Sequence, residues 1–177
     1  MKIYFDGCSW TWGGELEPDT RLNERYSRLV CDKLGAEEWN YATPGSSNDR
    51  IVRQLMENDI SQYDLAVIQL TYPTRSEFYM FNTWKRMGIM SQYKKRKGPN
   101  SWFWNHYYKQ IYNDHYGSIK EKLSSIIVQD HCKAHGVPVI LNKVTDLERS
   151  PYITRAKGGH PNAQGHRMIA KEILDRI

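Results

Sequence analysis

A chain of 177 residues falls in the usual range of one domain, and its 40% hydrophobic and 25% charged content is that of a globular protein whose core needs neither a disulfide framework nor a structural metal. Its three cysteines, Cys8, Cys31 and Cys132, form no C-x-x-C pair, which argues against a zinc site and for a reducing, cytoplasmic compartment. The opening MKIYFDGCSW lacks the apolar stretch of a signal peptide, no run nears the roughly 18 apolar residues that span a bilayer, and the net charge of +5 favours acidic partners.

In chain order, Lys2 to Phe5 reads as a short strand ending at the turn Asp6-Gly7. From Thr20 to Leu34, apolar residues at three- and four-residue steps (Leu22, Tyr26, Leu29, Val30, Leu34) predict an amphipathic helix closed by Gly35. Glu38 to Ala42 has strand character and runs into the turn cluster Thr43-Pro44-Gly45-Ser46-Ser47-Asn48, which also supplies helix N-cap candidates. A helix follows with Ile51, Leu55, Met56 and Ile60 as its expected buried stripe. The continuous run Leu65-Ala66-Val67-Ile68-Gln69-Leu70 is that of a strand covered on both faces, and Thr71-Tyr72-Pro73-Thr74 ends it.

The stretch 76–117 is rich in aromatics and broken by Gly88, Gly98 and Pro99, so it reads as an insertion or cap holding one or two short helices. Tyr116 to His135 predicts a long helix ending at Gly136, Val137 to Leu141 a last buried strand, and Pro161 to Ile177 a closing helix with Met168, Ile169, Ile173 and Leu174 on one face. No repeat or linker divides the chain. Alternating strands and helices predict one three-layer α/β/α sandwich over residues 1–177, with a mostly parallel sheet of four to five strands. Ligands of such sheets sit beyond the carboxyl ends of the strands, which directs attention to the loops 6–14, 43–48, 71–75 and 155–161.

Those loops offer Ser9; Gly45 with Ser46 and Asn48; Thr71 with Arg75; and His160. Gly7-Cys8-Ser9 after the first strand, Asn40 and Gly45 with Ser47-Asn48 after the second, and His160-Pro161-Asn162 opening the last helix resemble the blocks of the SGNH hydrolases, the GDSL esterase and lipase family. The resemblance touches both ends and the middle of the chain and leaves out chiefly residues 76–135. It implies the flavodoxin-like SGNH fold, Ser9 as nucleophile, His160 as general base, and the amides of Ser9 and Gly45 as oxyanion donors. The chemistry follows without the family: a serine hydroxyl becomes a competent nucleophile only when a neutral imidazole accepts its proton, and the resulting oxyanion needs fixed donors.

The chain departs from the family pattern twice. Gln69-Leu70-Thr71-Tyr72 stands where the family has an asparagine followed by an aspartate, which leaves the Thr71 hydroxyl as the candidate third donor. Lys157 stands three residues before His160, where the family has an aspartate. Three readings of this second departure stay open: a backbone carbonyl orients His160, an acid from elsewhere does so, with Asp146 and Glu148 nearest in sequence, or hydrolysis has been lost and binding kept. Asn48 and Arg75 are candidates for substrate binding.

Other motifs carry less. No arginine follows Cys8 at the spacing of a phosphatase loop, and Asp6 lacks the second aspartate that aspartyl-phosphate chemistry needs. His131 and His135 lie four apart but lack a third ligand, so no metal and no organic cofactor is expected. Trp84, Trp102, Phe103, Trp104, Tyr107 and Tyr108 form either a lid over their own core or a sugar-stacking platform. The expected function is therefore an ester hydrolase working through an acyl-serine on a small or carbohydrate-borne ester such as an O-acetyl group. Its alternatives are a non-catalytic binding protein for a glycan or anionic ligand, and a nucleic-acid-binding accessory protein resting on the basic run Lys94-Lys95-Arg96-Lys97.

Overall fold

The computed structural model describes residues 1–88 and 101–177; the basic run Lys94 to Lys97 lies outside the described residues. The strand β1 (Lys2–Asp6) leads into a one-turn helix, α1 (Ser9–Trp12), then α2 (Arg21–Glu24), α3 (Tyr26–Leu34), β2 (Glu37–Asn40), α4 (Asn48–Glu57) and β3 (Leu65–Leu70). A hairpin of β4 (Ser76–Met80) and β5 (Thr83–Met87) follows, and then α5 (Ser101–His106), which runs into a π turn at Tyr107–Ile111. The chain continues through α6 (Asp114–Ala134), β6 (Val139–Lys143), α7 (Val144–Arg149) and α8 (Ala163–Leu174).

The central sheet is parallel throughout, in the order β2-β1-β3-β6. Its alternation of side chains divides the core into two layers, because successive residues of a strand face opposite sides. Ile3 and Phe5 of β1, Val67 of β3 and Ile140 of β6 pack with Tyr26 and Val30 of α3 and Ile169 and Ile173 of α8. Tyr4, Ala66 and Ile68 face the other way, onto Ile51 and Leu55 of α4 and Val128 and Cys132 of α6. All six residues of β3 are buried, as a strand covered on both faces requires. The architecture is the expected three-layer α/β/α sandwich.

Four local readings differ from the sequence expectation. The helix expected over Thr20 to Leu34 breaks at Arg25, which is extended (φ −67°, ψ 143°), because the Tyr26 amide donates to Nδ1 of His166 while the Arg25 guanidinium forks onto Glu38. Met56 is 59% exposed: Ile51 and Leu55 already fill the inward face of α4, and the next position lies about 100° further round the helix. Within 76–117 the structure has the short helix α5 and its π turn, but residues 76–87 form a hairpin that lies outside the sequence expectation. Its two-residue turn puts Phe81 (φ 52°) and Asn82 (φ 58°) in the left-handed region, which phenylalanine seldom signals. The fourth is the stretch after the last sheet strand that carries Asp146 and Glu148, which the sequence reads as a loop and which is the helix α7. Phe78 of the hairpin packs on Phe103, Trp104 and Tyr107, whereas Tyr79, Trp84 and Trp102 stay exposed.

Candidate active site

The Ser9 loop is anchored from below. Ser9 begins α1 directly after β1, and Thr11, two residues on, donates its hydroxyl to Gln69 Oε1 at 2.9 Å while accepting one from Tyr26 at 2.7 Å. The Asn40 amide donates to the Thr11 carbonyl at 3.1 Å. These buried bonds join α1 to β3, α3 and β2, so Ser9 is held at the carboxyl end of the sheet with little freedom. Deeper still, Asp6 at the end of β1 pairs with Arg50 at 2.7 Å, and burial, which outweighs the attraction of that arginine, pushes its carboxyl up to about 6.

Ser9 Oγ lies 2.8 Å from Nε2 of His160, and His160 Nδ1 lies 3.0 Å from Oε2 of Glu15. The same Glu15 oxygen accepts the backbone N–H of His160 at 3.1 Å. That amide, followed by the imidazole itself and the amide of Gly158, holds the Glu15 carboxyl below the usual carboxylate range. A carboxylate can only accept, so the proton of the imidazole sits on Nδ1 and the Nε2 lone pair faces the serine hydroxyl.

Two features show how closely these segments fit. Glu15 adopts a left-handed backbone (φ 66°), a conformation that costs a non-glycine residue on the order of 1 kcal/mol. A Cβ on Gly158 would overlap the Glu15 carboxylate, and one on Gly14 would come within 3.2 Å of both His160 Cδ2 and Ser9 Cβ. The hydrogen bonds Ala156 N–H to His160 O (2.8 Å) and Gly159 N–H to Ala156 O (3.0 Å) fold the loop before α8 around the carboxylate.

Asp146 and Glu148, the candidate acids nearest in sequence, are elsewhere. Both belong to α7; Glu148 accepts the hydroxyl of Tyr72, and Asp146 lines a cavity beside β6 with Asn142, Lys143 and Arg176. The acid that meets His160 is Glu15, six positions after Ser9 on the same stretch of chain. Glu15 stands one position beyond the 6–14 loop expected to line the crevice, so the sequence reading passes it over.

Among the described residues the amides of Ser9 and Gly45 donate to no other group, and Gly45, in the left-handed region (φ 75°), has open space where a Cβ would stand. Asn48 does not face solvent. Its side chain is 3% exposed and is consumed by Thr71, whose amide donates to Oδ1 at 2.7 Å and whose carbonyl accepts from Nδ2 at 3.1 Å. The cap of α4 is Ser47, which accepts the Arg50 amide at 3.2 Å. The Thr71 hydroxyl accepts from Arg75 Nη1 at 2.8 Å and retains its own proton for donation. Among the described residues no three His, Cys, Asp or Glu side chains are arranged to hold a metal ion, and no helix is long and apolar enough to cross a membrane.

No protein-family model and no curated protein sequence matches the chain. Solved structures do. A carbohydrate esterase described as displaying divergent catalytic and non-catalytic binding functions aligns with 99% of this chain and 64% of its own, at a TM-score of 0.50 and 15% identity. The psychrotrophic esterase EstA from Pseudoalteromonas sp. aligns over 98% of this chain and 94% of its own, with a TM-score of 0.49 and 15% identity. An acetylxylan esterase from Geobacillus stearothermophilus aligns over 98% and 92%, with a TM-score of 0.46 and 16% identity. With its strand order, its helical layers and the first of these likenesses, the chain has the fold of the SGNH hydrolases.

Proposed function

We propose that the protein is an ester hydrolase in which Ser9 is the nucleophile, His160 the general base and Glu15 the group that orients and charges the imidazole. The observation that carries this reading is the unbroken line from Ser9 Oγ through His160 to Glu15, with contacts of 2.8 and 3.0 Å. Ser9 Oγ attacks the acyl carbon and His160 Nε2 takes its proton. The carbonyl oxygen, now an oxyanion, is met by the amides of Ser9 and Gly45 and by the Thr71 hydroxyl. Collapse breaks the bond to the alcohol, which leaves with the proton from His160. A water, deprotonated in turn by His160, attacks the acyl carbon; the bond to Ser9 Oγ breaks, Oγ takes the proton back from His160, and the acid is released.

A carbohydrate-borne ester is the favoured substrate class. The exposed rings of Tyr79 and Trp84, 5.2 Å apart on the hairpin, support it, and the hairpin is tied to the Gly45 loop by Arg86, which donates to the Pro44 carbonyl at 3.1 Å. The first fold relative is itself a carbohydrate esterase. Cys8, Cys31 and Cys132 are buried free thiols, and this supports the reading of a reducing, cytoplasmic location.

The test is hydrolysis of 4-nitrophenyl acetate by the wild type, Ser9→Ala and His160→Ala, with a fluorophosphonate label to locate the acylated residue. Activity lost in both variants and label confined to Ser9 support the reading. Equal rates in wild type and Ser9→Ala would overturn it.

A further inference from the structure

We infer that Arg75 is a binding site for a carboxylate on the substrate, so that the ester handled by Ser9 is an anionic one. This rests on the proposed function for its place in a reaction, though the binding stands apart from it.

Arg75 is half-buried in the loop that leaves β3. Its guanidinium is fixed from two directions: Nη1 donates to the Thr71 hydroxyl at 2.8 Å, and Cζ lies 4.8 Å over the ring of Tyr72. A longer contact, 3.5 Å, joins Nη1 to the carbonyl of Ser46, next to Gly45. Tyr72 is itself secured by the bond from its hydroxyl to Glu148, and Thr71 by the two bonds to Asn48. Arg75 therefore bridges the two loops, 45–46 and 71–75, that leave the strands flanking β1, and β1 delivers Ser9.

Unlike Arg25, Arg50 and Arg53, Arg75 has no counter-ion among the described residues. Arg25 pairs with Glu38, Arg50 with Asp6, and Arg53 with Glu77 and Glu57. Arg75 has no carboxylate within 4.0 Å among the described residues, and its Nε and Nη2 have no acceptor there. The unused Nε–Nη2 edge has the fork geometry that takes both oxygens of a carboxylate. Immobilising the fork on Thr71 and Tyr72 removes the rotamer entropy a ligand would otherwise have to overcome.

The experiment uses the full chain and two matched pairs of esters. Mono-4-nitrophenyl glutarate against 4-nitrophenyl butyrate puts the carboxylate on the acyl side, and 4-acetoxybenzoate against phenyl acetate puts it on the alcohol side. The wild type is expected to favour the anionic member of one pair, and that pair locates the carboxylate. Arg75→Gln is expected to lose at least about tenfold more kcat/KM on the anionic member than on its neutral counterpart, mostly through KM, with Arg75→Lys intermediate. In parallel, calorimetry measures glutarate and benzoate binding to Ser9→Ala with and without Arg75→Gln, where one of the two anions should bind about tenfold more weakly when Arg75 is gone. Equal losses on neutral and anionic esters, or anion binding indifferent to Arg75, overturn the inference. Ser9-dependent hydrolysis without anionic preference sinks this inference and leaves the proposed function standing. Arg75-dependent anion binding without Ser9-dependent hydrolysis does the reverse.

Discussion

Glu15 contacts His160 twice through one oxygen, accepting the imidazole Nδ1–H at 3.0 Å and the backbone N–H of the same residue at 3.1 Å. The imidazole is thereby fixed in tautomer by the first bond and in position by the second.

Replacing the carboxylate by its amide removes the first effect while keeping the length of the side chain. Glu15→Gln is expected to lower kcat for 4-nitrophenyl acetate by about a hundredfold or more, since an amide can present a donor to Nδ1 and turn the wrong tautomer toward Ser9. Melting temperature should move little, because Glu15 lies at the surface. A rate within threefold of the wild type would remove Glu15 from the mechanism.

Gly158→Ala reaches the same bond from the opposite side. The new methyl overlaps the Glu15 carboxylate, and the cheapest relief is for that flexible side chain to swing away from His160. Activity should fall as in Glu15→Gln, with the folded population unchanged by circular dichroism. Combining the two substitutions should cost no more than either alone, a non-additivity that steady-state kinetics on the double variant can read.

Asn48→Ala tests the support beneath the third loop. It strips both the amide and the carbonyl of Thr71 of their buried partners, so unfolding in urea should reveal a loss of about 2–4 kcal/mol. A change below about 0.5 kcal/mol would mean that water replaces the side chain without penalty.

His166 supplies a pH dependence with a defined sign. It is fully buried, its Nδ1 accepts the Tyr26 amide at 3.2 Å, and desolvation, with a smaller contribution from the charge of His160, lowers its pKa to about 4. Between that value and the ordinary histidine value near 6.5 the unfolded chain binds a proton that the folded chain does not. Stability from this residue is complete above about pH 6.5 and declines by up to about 1.4 kcal/mol per pH unit as the pH falls toward 4. His166→Asn, whose Oδ1 can take the Tyr26 amide, should flatten the pH profile of the urea midpoint across that window. Parallel profiles for the two proteins would contradict the assignment.

The strands and the paired layers of helices were legible because their residues obey one period at a time: β3 is apolar without interruption, and α4 repeats Ile51 and Leu55 at helical spacing. Ser9, Gly45 and His160 were legible because each sits at a strand or helix end in a recognisable short block. Glu15 was not, since its meeting with His160 spans 145 positions and depends on a left-handed backbone that no local pattern announces. Asn48 misled for the opposite reason. Its sequence position fits a cap or a substrate contact equally well, and only the course of the loop at Thr71 shows that both ends of the amide are occupied. The hairpin at 76–87 escaped because Phe81-Asn82 turns the chain without a glycine.

Ser9 and Glu15 lie on one continuous stretch, residues 9 to 15, and His160 arrives from the far end of the chain, just before α8. The order of assembly during folding follows from this. Closure of the β1 loop can place Ser9 and Glu15 early and locally, but the line through His160 is incomplete until α8 docks against α3 and brings His160 with it. In a refolding experiment, recovered turnover should therefore lag the burial of the sheet and serve as a clock for the last long-range contact to form.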